Sequence, residues 1–195
     1  MRDSLRVSLF NLKIKILYMS CLINSALPLD CMNAMGGLKT AYFLAGEITT
    51  TTVSAGEITA ISGTGSFYEF ALAKDTAFFS EAINVSNTAG TVFYEGVLTI
   101  VLQKMDADKR NQILLLAQNR DLRIAFVDQQ DITWICGLTR GAVMSASNAA
   151  TGTAVADMNG YTLSFTSQEP QAAYPILAGD SLADVVGGGL TVVAA

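Results

Sequence analysis

The chain has 195 residues, of which 51% are hydrophobic and 15% charged, with a net charge of -5 and no histidine. A length of this order suits one domain that buries roughly 70% of its unfolded surface, and so apolar a chain is not generally disordered. The acidic balance argues against a tight, counterion-displacing grip on nucleic acid, and the missing histidine removes the usual general base near neutral pH and the commonest zinc ligand.

Soluble surfaces carry about 25–35% charged residues, so with so few charges part of this surface is expected to lie against other copies. Residues 1–20, MRDSLRVSLFNLKIKILYMS, are basic and apolar through Arg2, Arg6, Lys13 and Lys15. Lys13 and Lys15 interrupt the apolar run, and Tyr18-Met19-Ser20 lacks the small residues of a cleavage site. The run is also too short and too charged to span a bilayer. It reads as an extension or flexible arm, with Met19 as an alternative start. Residues 21–37 show no period and read as an extended N-terminal segment. Cys21, Cys31 and Cys136 form no CxxC pair; the odd count suits a reducing cytoplasm, with a Cys21–Cys31 bridge left open.

LKTAYFLAG is the first predicted strand. AGEIT then occurs twice, at Ala45–Thr49 and Ala55–Thr59, around TTTVS. Two Thr-rich strands about Ser54-Ala55-Gly56 predict a β-hairpin. Glu47, Thr50, Thr52, Val53, Glu57 and Ile58 are its candidate inter-subunit residues, an arm completing a neighbour's sheet. Gly63-Thr64-Gly65 predicts a turn, and SFYEFALAK a strand. Its Phe-Tyr-Glu recurs at Phe93-Tyr94-Glu95, so these two strands are expected side by side, their aromatics packing across strands. Residues 75–90 between them read as a loop with a short strand, closed by Asn87–Gly90.

FYEGVLTIVLQK has two apolar faces and predicts a central strand covered on both sides. Asp106 is the expected N-cap of a helix over 106–119, with Asp108 adding favourable charge at its positive end. Ile113, Leu116 and Ala117 share one face, with Leu114 beside them, and Asn119 is expected to close the helix in the left-handed conformation. Leu122, Ile124 and Phe126 alternate as a strand. Asp128-Gln129-Gln130-Asp131 is a polar turn; reading Asp128 and Asp131 as a metal or acid/base pair is weaker than the turn chemistry Asp favours. ITWICGL is the return strand. Two further strands flank a small-residue loop ending in Asp157-Met158-Asn159-Gly160, a predicted tight turn with positive φ at Asn-Gly, which lacks the acidic alternation of a calcium loop. Tyr161, Leu163 and Phe165 alternate as a half-buried strand, AAYPIL is the last short strand, and residues 179–195 read as a flexible or swapped tail hinged at Gly187-Gly188-Gly189.

No glycine run precedes Lys-Ser/Thr and no Gly-x-Ser-x-Gly occurs, so phosphate-loop and serine-elbow chemistry are not indicated. Glu69, Glu81, Glu95, Asp157 and Glu169 supply carboxylates, but no spacing selects a glycosidase pair. The expectation is a chain without catalytic residues, cofactor or metal.

Gly36-Gly37, the FYEFxL strand, the long strand running into a helix with Lys109-Arg110, Val127-Asp128 and the D-x-NGYTLSF strand together resemble structural proteins of tailed bacteriophages, and the layout is similar to phage tail tube proteins over Cys31–Leu177. The resemblance implies hexameric rings stacked around a DNA channel, with the hairpin at Glu47–Ile61 and both termini joining neighbours. It implies no catalytic residue. The expected fold is mainly β, a β-sandwich or partly closed antiparallel sheets over 38–178, with one flanking helix and a Gly-rich tail over 179–195. The expected role is a tail tube subunit in the virion, assembled in the host cytoplasm with other virion proteins and passing DNA without specific binding or membrane contact. The alternatives are a capsid-associated, neck or decoration protein of the same fold, or a surface β-sandwich adhesin.

Overall fold

The computed structural model describes residues 25–29 and 31–195. The arm over 1–20, the choice of Met1 or Met19 and any pairing of Cys21 lie outside the described residues. Ser25–Leu29 and Cys31–Asn33 are exposed and carry no helix or strand. Ala34–Ala195 form the folded unit.

Of the described residues 54% are strand and 9% helix, so the fold is mainly β, with the sheets as its framework. The strands are β1 (Leu38–Ser54), β2 (Glu57–Ala71), β3 (Phe78–Ser86), β4 (Thr91–Gln103), β5 (Ile124–Asp128), β6 (Thr133–Cys136), β7 (Ala142–Ala150), β8 (Gly160–Glu169), β9 (Tyr174–Pro175), β10 (Val186–Gly187) and β11 (Leu190–Val193); the helices are α1 (Ala107–Gln118) and α2 (Leu182–Val185). One sheet runs β10-β2-β1-β5-β6-β9, with β11 also on β2, and the other runs β3-β4-β8-β7. All pairs are antiparallel except β10 and β11 on β2, which are parallel.

The strand period explains the two cores. Leu98, Ile100 and Leu102 of β4 and Leu163 and Phe165 of β8 turn inward and meet Ala41, Phe43, Ile124 and Phe126 of the larger sheet. The tilted rings of Phe43 and Phe165 pack with centroids 4.8 Å apart, within the range of favourable aromatic pairs, and those of Phe79 and Phe126 lie at 4.4 Å, at its near limit. On the far side of the larger sheet, Leu44, Ile58, Phe67, Ala125 and Ile135 form a second core with Leu182, Val185 and Leu190. β5 is covered on both faces, with Ile124 and Phe126 on one side and Ala125 on the other, and its neighbours β1 and β6 share this, Phe43 and Cys136 facing one core and Leu44 and Ile135 the other. The expectation placed that role on β4. That strand is central within its sheet, but Val97, Thr99 and Val101 are only half-buried, because among the described residues no element packs over the outer face of the smaller sheet.

Helix α1 starts as its sequence predicts: Asp106 Oδ1 accepts from Lys109 N at 2.8 Å, and Asp106 Oδ2 pairs with Lys109 Nζ at 2.8 Å. Ile113 and Leu116 are buried, whereas Ala117 and Leu114 are exposed, so the packed stripe is narrower than expected. Asn119 ends the helix at φ −82, not left-handed; its side-chain oxygen accepts from Asp121 N at 2.9 Å and turns the chain instead.

Several expectations are corrected. Gly63-Thr64-Gly65 is not a turn: it lies inside β2, where Gly63 faces Ile48 and Gly65 faces Gly46. Residues 78–86 are a full strand paired along β4. The two Phe-Tyr-Glu strands lie in different sheets, β2 and β4, because β3 takes the place beside β4. Asn159-Gly160 adopts no positive φ. Gly160 already begins β8, and Asn159 instead accepts from Lys104 N at 2.6 Å and Met105 N at 3.3 Å, tying off the end of β4.

The largest correction concerns 179–195. This stretch is docked: Leu182, Val185 and Leu190 are buried, and Leu190–Val193 pair with Gly65–Tyr68. Gly188 and Gly189, at φ 66 and 105, interrupt the pairing between β10 and β11, which run in one direction along β2 in a single continuous register. The glycine run is thus a local interruption within a docked parallel segment, and α2 is a second helix that periodicity over so short a stretch could not announce.

Candidate assembly surface

The hairpin forms where the repeat predicts it. Ala55 and Gly56, at φ 53 and 90, make the two-residue turn whose positive φ values match the twist of the strands. The register shift between Ile48 and Thr50 marks a bulge at Thr49 in β1, and that between Thr52 and Val53 a bulge at Thr59 in β2.

Of the candidate residues, Glu47, Thr50, Thr52 and Val53 are exposed on β1, and Glu57 is half-buried at the start of β2. Ile58 is a correction: it pairs with Val53 but is 0% exposed, and its carbonyl accepts from Leu177 N at 2.9 Å. It belongs to the second core because the C-terminal segment covers that side of β2.

The two long edges of the hairpin differ. On its β2 side β10 and β11 add in parallel. On its β1 side the pairing with β5 stops at Phe43–Ile124, followed by one bond from Leu44 N to Arg123 O at 3.0 Å. From Ala45 to Ser54 the outer edge of β1 makes no backbone hydrogen bond among the described residues. Such a row of open N–H and C=O groups is a template for another strand, and natural monomers usually guard it with Lys or Pro. Here the stretch AGEITTTTVS has neither Lys nor Pro, and Glu47 and the bulge at Thr49 are its guards.

The smaller sheet ends in two more open edges, β3 and β7. The β3 edge is apolar: Phe78 is 53% exposed, Ile83 62% and Val85 62%, with Val92 of β4 at 53% beside them. Sequence reasoning gave 75–90 as a loop with a short strand and so missed the length of this edge; the alternation of Phe79, Ile83 and Val85 was its available signal, masked by flanking polar residues. Glu47, Glu57 and Lys74 make no ion pair or side-chain hydrogen bond among the described residues, and all lie at or near these two edges.

The carboxylates singled out for chemistry serve the backbone. Asp128 Oδ1 accepts from Gln130 N at 2.8 Å and Ile132 N at 3.0 Å, Asp128 Oδ2 accepts from Trp134 Nε1 at 3.2 Å, and Asp131 pairs with Lys39. That is turn construction, with both acids committed. Asp157 Oδ2 accepts from Thr153 N and Ala154 N, each at 2.7 Å, which holds its carboxyl below the usual range. Glu69 accepts from Ala195 N at 3.3 Å, and Glu95 sits between Ala82 and Gln168 in the sheet. Glu81 and Glu169 share a cleft beside Cys136, and Glu81 shares another with Asp128. Glu169 takes Arg140 N at 2.8 Å and Thr139 N at 3.1 Å, and Glu81 takes Ala173 N at 2.9 Å. Burial, with Glu169 and Glu81 adding to it, pushes the Cys136 thiol up to about 12, so this sulfur stays protonated. Among the described residues no three His, Cys, Asp or Glu side chains gather as metal ligands.

Comparison with known protein families, with curated proteins and with solved structures finds no match.

Proposed function

We propose that this chain is a self-assembling structural subunit of a bacteriophage virion, a tail tube subunit in the first instance, joining copies of itself through open strand edges. The observation that carries the reading is the outer edge of β1, open from Ala45 to Ser54 on a hairpin whose other edge is already filled. An antiparallel or parallel strand added there forms main-chain hydrogen bonds without any change in the chain's own pairing. The low charge content supports the same reading, because a surface with only 15% charged residues leaves area suited to contact between copies. In this reading, rings of subunits enclose a channel, and the net charge of -5 lets DNA pass without adhering. The docked C-terminal segment is not one of the joining arms; the hairpin carries the contact. Negative-stain imaging of purified protein tests this, with rings or tubes expected. A monodisperse monomer at high concentration would overturn it.

A further inference from the structure

We infer that the open β1 edge of one copy, Ala45–Ser54, pairs antiparallel with the open β3 edge, Phe78–Ser86, of the next. This rests on the self-assembly reading above and names the two surfaces that meet. The edges are matched in length, β3 having nine residues, and neither carries Lys or Pro to repel a partner. Of the smaller sheet's two edges, β3 is the one that gains from being covered. Its Phe78, Ile83 and Val85 are more than half exposed, whereas the β7 edge, AVMSASNAA, shows Val143 at 41% as its exposed large apolar side chain.

Charge selects the direction. Beyond the bulge at Thr49, antiparallel order with Thr50 opposite Ile83 sets Thr52 opposite Glu81 and Ser54 opposite Phe79. The turn of the incoming hairpin then overhangs the loop before β3, bringing Glu57 toward exposed Lys74, two charges that have no ion-pair partner among the described residues. Parallel order would set Glu47 beside Glu81 and leave Lys74 far from any acid of the hairpin, and like charges across strands are unfavourable. Because the two edges differ, the contact is head-to-tail: every copy offers one of each, and repetition closes a ring or extends a filament.

The test uses full-length chain with Cys21→Ser and Cys31→Ser, leaving buried Cys136 in place. Thr50→Cys and Ile83→Cys are made separately and together. On mild oxidation a mixture of the two single variants should give disulfide-linked dimers, each alone none, and the double variant a ladder of higher species. Dimers from Thr50→Cys alone, or particles that form with no cross-link in the mixture, would overturn this pairing while leaving self-assembly intact. Absence of any particle would remove the assembly reading and this inference with it. Separately, Glu57→Lys and Lys74→Glu should each weaken association roughly two- to fivefold, as exposed ion pairs do, and their combination should restore it. Failure to restore would overturn the antiparallel order.

Discussion

Gly46 and Gly65 face each other across the β1–β2 ladder, and neither has room for a side chain. A Cβ on Gly46 would overlap Thr64 O and lie 2.8 Å from Gly65 Cα; one on Gly65 would overlap Ala45 O. Their φ values, 155 and 115, belong to backbone that side chains rarely adopt. The pair sits just where β1 leaves β5 behind and its outer edge opens. Gly65→Ala is therefore expected to cost about 2 kcal/mol or more, through strain and backbone overlap. Urea unfolding checks this; an unchanged midpoint would show that the close approach is dispensable.

The C-terminal segment is expected to be structural. Leu190 is 6% and Leu182 3% exposed, both in the core that also holds Ile58 and Phe67. Leu182→Ala and Leu190→Ala should each lower stability by about 2–5 kcal/mol, the usual cost of a leucine cavity. A freely moving tail would give no change in the unfolding midpoint, so the two outcomes are well separated.

Acid should weaken the fold through three carboxylates. Hydrogen bonds from the Lys109 side chain and backbone hold Asp106 below its usual range, those from Ala154 and Thr153 hold Asp157 there, and those from the Ser181 side chain and backbone hold Asp184 there. In each case the folded form releases its proton more readily than the unfolded form. The stability they contribute is present above the usual carboxylate value of about 4 and is lost as pH falls through the lowered values. Denaturation followed from pH 6 to pH 2 should show a steeper loss for the native chain than for a triple Asp→Asn variant at these positions. Identical slopes would contradict the assignment.

Cys136 should resist thiol reagents. Its pKa stands near 12 in the folded chain, so at pH 8 it is a buried neutral thiol. The sign of the linked effect follows: a raised folded value favours the fold below the unfolded thiol's value of about 8.5, and that contribution fades as pH rises toward 12. Mass-spectrometric mapping after brief labelling at pH 8 should find exposed Cys31 modified and Cys136 intact. Modification of both at equal rates would show that the core around β6 opens readily.

What could be read from the residues followed how local the physical cause is. The AGEIT repeat and Ala55-Gly56 turn specify a hairpin within neighbouring residues, and Asp106 needs only Lys109 to cap its helix. The strict alternation of Tyr161, Leu163 and Phe165 likewise reports burial on one face. The failures are long-range. Gly63-Thr64-Gly65 has turn chemistry, yet it sits in a strand because Gly46 approaches it from the other arm of the hairpin. Residues 179–195 look like a tail until β2, more than a hundred positions earlier, supplies their pairing. Within the candidate surface, the exposure of Thr50 and Thr52 was legible from Thr-rich patterning, but the burial of Ile58 depends on that same distant segment, and the open β3 edge on a strand that polar residues disguised.

The central claim is that copies of this chain add to one another at the outer edge of β1. Sedimentation velocity of the native chain against Thr50→Lys/Thr52→Lys measures it directly, because both positions are exposed and the added lysines guard the edge without entering the core. The native chain should sediment as large, concentration-dependent species and the variant as a folded monomer. A native chain that stays monomeric, or a variant that assembles as well as the native chain, would contradict the account.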